Sequence, residues 1–302
     1  MGREGVPLID IQNIDQQGLA KEIVKVCEEW GCFRMVNHGV PTELMAEMKL
    51  VVASLFDLPT EIKSRTTSSV YGKGYIARNP ITPFFESFSI DDISSSSTNE
   101  FCDHLAISPY QREVINKYTK AIRDLAGILG HKLKEGSGLS GDLFDDQWCC
   151  QFRMNKYHYT SESIGKPGIH MHSDPSFLTV LLDDYDVNGL QIVDKNTGDF
   201  VPLDPVPGTL VANIGDIGKA WSNGRYCSAK HRVWCFEAKT RYSMALFVLG
   251  PKDKKVEAPS EFIESDHKRL YVPIEFEKYR QFRISAKLST DDALDLFSKS
   301  AT

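Results

Sequence analysis

The chain has 302 residues, enough for one large domain or two small ones, and its 41% hydrophobic and 25% charged content is that of an ordinary globular protein. A net charge of -6 argues against a nucleic-acid partner, and no apolar run approaches the roughly 18 residues of a membrane span. Seven cysteines, odd in number and without a Cys-x-x-Cys pair, point to reduced thiols and a cytoplasmic protein.

Residues 1–145 read mostly helical. Ala20, Ile23, Val24, Cys27 and Trp30 recur at helical spacing, with Gly31 as a stop. Phe33 to Val36 reads as a short strand. A second helix after Pro41 has one broad apolar face of Leu44, Met45, Met48, Val51, Val52, Leu55 and Phe56. A third, over residues 111–134, carries Val114, Tyr118, Ile122, Leu125 and Leu129. Between them, residues 70–99 are rich in Gly, Pro, Ser and Phe and predict irregular structure, with 94–97 as a flexible loop tip. From Gln147 the texture changes. Short β-rich runs alternate with turn signals such as Asn188-Gly189, Pro207-Gly208 and Asn223-Gly224. That spacing predicts a sandwich or barrel over 146–302, a double-sheet jelly roll being one such architecture. With no repeat and no linker, the two regions are expected to form one interlocked α+β unit. Residues 291–299 read as a short closing helix.

The chemistry-bearing residues lie in the second region. His172 and Asp174 flank Ser173. On a strand, residues i and i+2 share a face about 6.6 Å apart, so both side chains lean toward one ion. His231 follows Asp174 after 56 intervening residues. Two histidines and a carboxylate make the facial triad of non-haem Fe(II) oxygenases, which leaves coordination positions open. His170 has the same strand parity, but i and i+4 lie about 13 Å apart, too far to share the ion with Asp174. Ten residues after His231, Arg241 and Ser243 again share a face. A guanidinium fork with a hydroxyl beside it reads as a seat for a carboxylate.

In this order and at these distances, with Asn155-Lys156-Tyr157, Gly189-Leu190-Gln191 and Ser222-Asn223-Gly224, these motifs are highly specific. Over nearly its whole length the chain resembles the plant 2-oxoglutarate-dependent Fe(II) dioxygenases. Among them it is similar to the dioxygenases for auxin oxidation, through Gln151-Phe152-Arg153-x-Asn155-Lys156-Tyr157-His158, Phe177-Leu178-Thr179 and Trp221-Ser222-Asn223-Gly224-Arg225.

The resemblance implies a double-stranded β-helix, a distorted jelly roll, flanked by N-terminal helices. It implies an enzyme using Fe(II), 2-oxoglutarate and O2, with His172, Asp174 and His231 as metal ligands and hence the catalytic set. Arg241, Ser243, Tyr157 and Asn155 would surround 2-oxoglutarate, and His38 would be structural. For the substrate wall, Phe247 is favoured because it shares strand parity with Arg241 and Ser243; Phe177, Trp221, Phe85 and Leu182 are further candidates. Phe85 and Leu182 stand where the auxin oxidases carry Tyr and Gln. Arg78 and Lys156 are candidate partners for a substrate carboxylate. The expected reaction is oxidation of indole-3-acetate to its 2-oxindole. The alternatives are hydroxylation, desaturation or ring closure of a specialised metabolite, or an inactive ligand-binding member. The expected partner is a small-molecule substrate, with no nucleic acid or membrane; the oligomeric state stays open.

Overall fold

Two sheets and a helical layer make up the described residues (5–12, 16–70, 72–263 and 268–298) of a computed structural model. In chain order the elements are β1 Leu8–Asp10, α1 Gln16–Glu29, β2 Cys32–Val36, α2 Thr42–Phe56, α3 Thr60–Lys63, β3 Phe85–Asp91, α4 Ser95–Leu105 and α5 Pro109–Gly136. Then follow β4 Trp148–Tyr157, β5 Pro167–His172, β6 Leu178–Leu182, β7 Leu190–Val193, β8 Phe200–Pro202 and β9 Leu210–Ile214. The chain continues with α6 Asp216–Trp221, β10 His231–Trp234, β11 Arg241–Pro251 and α7 Phe276–Ser285. The major sheet has the order β1-β2-β9-β6-β11-β4-β3, and the minor sheet β5-β10-β7-β8. Leu190, Ile192 and Val233 of the minor sheet share a buried cluster with Phe85, Tyr157 and Val211 of the major one, so the sheets pack face to face as a jelly roll.

The helices form where their sequences cap and bury them. Helix α5 opens with Pro109 at its first turn and a reciprocal box between Ser108 and Gln111. Helix α1 ends at Glu29, and Gly31 just beyond it has φ +67° and a Cβ position 2.1 Å from the Cys227 carbonyl oxygen, so only glycine fits.

Two expectations change here. Residues 70–99 contain β3, and 94–97 are not a loop tip: Ser94 caps α4, accepting from the Ser97 N–H at 3.3 Å, and Phe101, Cys102 and Leu105 bury its inner face. A serine run looks like loop by composition, but a cap plus an apolar stripe makes it a helix start. The helical N-terminal region also supplies β1, β2 and β3, which form both edges of the major sheet. At the other end, α7 precedes a 3-10 segment, Asp291–Phe297; Lys299 lies outside the described residues.

Strand parity places the core. Strands β4 and β11 run antiparallel, with Arg241 opposite Tyr157, Ser243 opposite Asn155 and Met244 opposite Met154. Phe152, Met154, Met244, Leu246 and Val248 point to the helical side, in one cluster with Val52, Leu55, Tyr118 and Ile122 of α2 and α5. The alternate residues face the space between the sheets. Among the described residues no helix is long and apolar enough to cross a membrane, and all seven cysteines are free.

Candidate metal centre and co-substrate seat

His172 ends β5 and His231 starts β10, and the two are antiparallel partners with ring centroids 4.2 Å apart. Each Nδ1 lies 2.9 Å from the carbonyl oxygen two residues back, His170 for one and Ala229 for the other. A carbonyl only accepts, so Nδ1 carries the proton and the Nε2 lone pair faces outward, the tautomer a metal requires. Asp174 Oδ1 sits 3.7 Å from His172 Nε2 and 3.9 Å from His231 Nε2. Its Oδ2 accepts from the Thr179 hydroxyl at 2.6 Å, which leaves Oδ1 free to bind. All three donor atoms lie within 4.8 Å of one another, the one such group among the described residues. Two bonds of about 2 Å bridge most of these separations, so the set fits one ion. Burial, with the neighbouring His231, holds His172 down to about 4, so it is neutral and ready as a ligand near neutrality. The His170 ring is exposed, and its carbonyl rather than its imidazole serves the site.

The second part of the site lies on the inner face of β11 and β4. Arg241 is 1% exposed, its guanidinium 5.0 Å from the Tyr157 ring centre. Asn155 donates to the Ser243 hydroxyl at 3.1 Å. The arginine pairs through Nη2 with Asp183, a residue the motif reading passed over. Its Nε and Nη1, and the Asn155 Oδ1, are buried with no hydrogen-bond partner among the described residues. Unpaired N–H groups on a buried guanidinium are costly. A carboxylate accepting at Nη1 would satisfy one of them with a charge-assisted bond, so the residues present fit a 2-oxoglutarate carboxylate. Gly189 makes room for this arginine: a Cβ there would lie 3.3 Å from Arg241 Nε and 2.9 Å from the Trp234 carbonyl oxygen. Burial pushes the Tyr157 hydroxyl up, so it stays protonated and able to donate.

The expected substrate wall divides. Phe247, half-buried and opposite Thr179 and Gln151, shares the inner face with Arg241 and Ser243. Phe85 lies opposite Tyr157, with ring centroids 5.5 Å apart. Three others are not on that inner face. Leu182 is the cross-strand partner of Met244 and faces the helices, because a one-residue step along a strand exchanges faces. Phe177 is wedged among Phe144, Trp148 and Trp221. Trp221 meets Phe262 edge to face, lies tilted against Phe177 and lines a surface groove instead. Lys156 pairs with Asp57 at 3.0 Å and Arg78 is exposed. A second cation on the inner face, besides Arg241, is Arg153, with Nη1 3.3 Å from the Ser87 hydroxyl and Nη2 on the Gly72 carbonyl. It lies opposite Ala245, between the levels of Ser243 and Phe247. Its parity with Asn155 and Tyr157 was a usable signal.

Comparison with known proteins agrees with this geometry. The 2OG-Fe(II) oxygenase superfamily profile matches residues 148–250, and the profile for the non-haem dioxygenase in morphine synthesis N-terminal region matches 6–95. The 2-oxoglutarate-dependent dioxygenase DAO of Oryza sativa subsp. japonica is 41% identical over 96% of this chain and 97% of its own length. Feruloyl CoA ortho-hydroxylase 2 of Arabidopsis thaliana is 31% identical over 91% and 78%. The crystal structure of the rice dioxygenase for auxin oxidation superposes with a TM-score of 0.90 at 39% identity, covering 97% of this chain and 99% of that one. The 2-oxoglutarate complex of dioxygenase for auxin oxidation 1 from Arabidopsis thaliana gives 0.85 at 48% identity, covering 87% and 100%. The likeness spans the helices and both sheets alike, and so the chain belongs to the 2OG-Fe(II) oxygenase superfamily, as a 2-oxoglutarate-dependent Fe(II) dioxygenase.

Proposed function

We propose that the protein oxidises indole-3-acetate to its 2-oxindole derivative. The observation that carries this reading is the full-length likeness to dioxygenases for auxin oxidation; on the inner face Arg153 supplies a cation one level from Phe247. His172, Asp174 and His231 hold the metal, and Thr179 keeps one oxygen of Asp174 occupied. Fe(II), when bound with 2-oxoglutarate, supplies the oxidation of a substrate carbon by O2 as 2-oxoglutarate is converted to succinate and CO2. Arg241 and Ser243 grip the far carboxylate of 2-oxoglutarate, Tyr157 donates to it, and Asn155 orients Ser243. Arg153 pairs with the substrate carboxylate, while Phe85 and Phe247 flank the indole and keep water out.

On this reading residues 146–302 hold the catalytic machinery and 1–145 brace it. The enzyme works in the cytoplasm on a small molecule, without nucleic acid or membrane. A second reading, oxidation of a less polar specialised metabolite, is favoured by Phe85, a buried apolar ring against Tyr157. Leu182 lends it no weight, since that side chain faces the helices.

The test is turnover of indole-3-acetate by purified protein with Fe(II) and 2-oxoglutarate. One 2-oxindole-3-acetate per succinate is expected, with Arg153→Gln raising the KM for indole-3-acetate more than that for 2-oxoglutarate. Succinate formed without indole product would sink the auxin reading and favour the second.

A further inference from the structure

Asp216 is fully buried and is not a metal ligand, yet both ligand-bearing segments converge on it. Its Oδ1 accepts from the Ser173 hydroxyl at 2.8 Å and the Ser228 hydroxyl at 2.7 Å. Its Oδ2 accepts from the Tyr279 hydroxyl at 2.6 Å and from Arg283 Nη1. Ser173 stands between His172 and Asp174, and Ser228 stands three residues before His231. Tyr279 and Arg283 come from α7. The backbone is joined as well. Asp216 N–H donates to the Asp174 carbonyl at 2.8 Å, Arg283 Nη2 to the Ser173 carbonyl at 3.0 Å, and Ser173 N–H to the Ser289 carbonyl at 2.9 Å. Gly215 permits this approach, since a Cβ there would lie 2.2 Å from the Ser176 carbonyl oxygen and 2.6 Å from that of Asp174.

We infer that Asp216 is a positioning residue for the metal centre, and that α7 is a working part of that centre through Tyr279 and Arg283. Three donors on two separate segments bind one ion well only if their spacing is set beforehand; otherwise binding must also order the segments. One carboxylate accepting from both segments sets that spacing. The α7 pair in turn fixes the carboxylate, with Arg283 supplying its countercharge inside the protein. The C-terminal region therefore reaches the metal without supplying a ligand. This inference rests on His172, Asp174 and His231 being the ligands, and not on the identity of the substrate.

The test is titration of the metal-free protein with Co(II), followed by visible absorption, with the folding midpoint of each metal-free variant measured in parallel. Wild type should bind one Co(II) and His231→Ala should bind it far more weakly; failure of that pair would overturn the ligand assignment itself. With that pair behaving, Asp216→Asn should weaken Co(II) binding by about 10- to 100-fold. Tyr279→Phe and Ser228→Ala each remove one hydrogen bond to the carboxylate and should weaken binding by about threefold or more. They decide the matter if Asp216→Asn does not fold. Variants that bind Co(II) as tightly as wild type, with only the folding midpoint lowered, would overturn the inference, because a purely structural carboxylate moves stability and leaves metal affinity alone.

Discussion

Strands β4 and β11 lie side by side, and their two faces share no chemistry. Toward the helices stand Phe152, Met154, Met244, Leu246 and Val248, all essentially inaccessible to water. Toward the minor sheet stand Arg153, Asn155, Tyr157, Arg241, Ser243 and Phe247, and buried atoms of Asn155 and Arg241 have no partner among the described residues. The helix side gains by removing apolar surface from water, about 25 cal/mol per Å². The inner side loses by desolvating polar groups, a cost that the proposed 2-oxoglutarate would offset on binding. Period-two alternation lets one strand do both, with stability held on one face and chemistry on the other.

The sharpest way to break this comparison is to remove one group from the metal centre and one from the helix-side core. His231→Ala, at the metal end of the cavity, should cut 2-oxoglutarate turnover by more than about 100-fold while leaving the folding midpoint of the metal-free protein nearly unchanged. Succinate formation and metal content check it. Phe152→Ala should do the reverse. It empties a fully buried ring site and should cost about 3–5 kcal/mol of stability in urea unfolding, with the KM for 2-oxoglutarate of the folded fraction unmoved.

Smaller changes sharpen the boundary. Arg241→Lys keeps the charge and loses the fork. It should raise the 2-oxoglutarate requirement by about 10- to 150-fold, equivalent to about 1.5–3 kcal/mol for a charge-assisted contact. An unchanged requirement would mean that Arg241 serves something else. Leu182→Gln places an amide among the helix-side residues and should cost about 1–3 kcal/mol of stability. A change in substrate preference at unchanged stability would mean that β6 faces the other way.

The smallest effect near neutral pH concerns a buried charged residue on the helix side. Glu86 accepts from Lys63 at 2.9 Å, Tyr75 at 2.6 Å and His158 at 2.6 Å. Burial alone would push its carboxyl up, but the bonds from His158, Tyr75 and Lys63 outweigh it and hold the group down to about 2. A depressed carboxyl stabilises the fold above its ordinary value, and that contribution fades as pH falls from about 4.5 to about 2. Glu86→Gln should flatten the acid limb of stability across that window. Urea midpoints measured at several pH values within it would expose an unchanged slope.

Much of this was legible along the chain. Helices α1, α2 and α5 follow from apolar spacing and stops, since a helix needs only its own sequence to set its buried face. His172 with Asp174, and Arg241 with Ser243, follow from i, i+2 parity within a single strand. Strand β3 and helix α4 were hidden because Ser, Pro and Gly composition outweighs a short apolar pattern until a neighbouring strand pairs with it.

The residues themselves determined which side chains share a face, because the backbone repeats every two residues in a strand and every 3.6 in a helix. Only the tertiary structure decided which face meets the cavity. That phase is set by register between strands distant in sequence, Leu182 against Met244 and Asn155 against Ser243, and a slip of one residue would reverse it. The same holds for the groups no motif announced. Asp183 meets Arg241 across 58 positions, and Arg283 meets Asp216 across 67. Such pairs form only after the sheets and the C-terminal helix have closed around them, because hydrogen bonds and ion pairs act over a few ångströms of space whatever the distance along the chain.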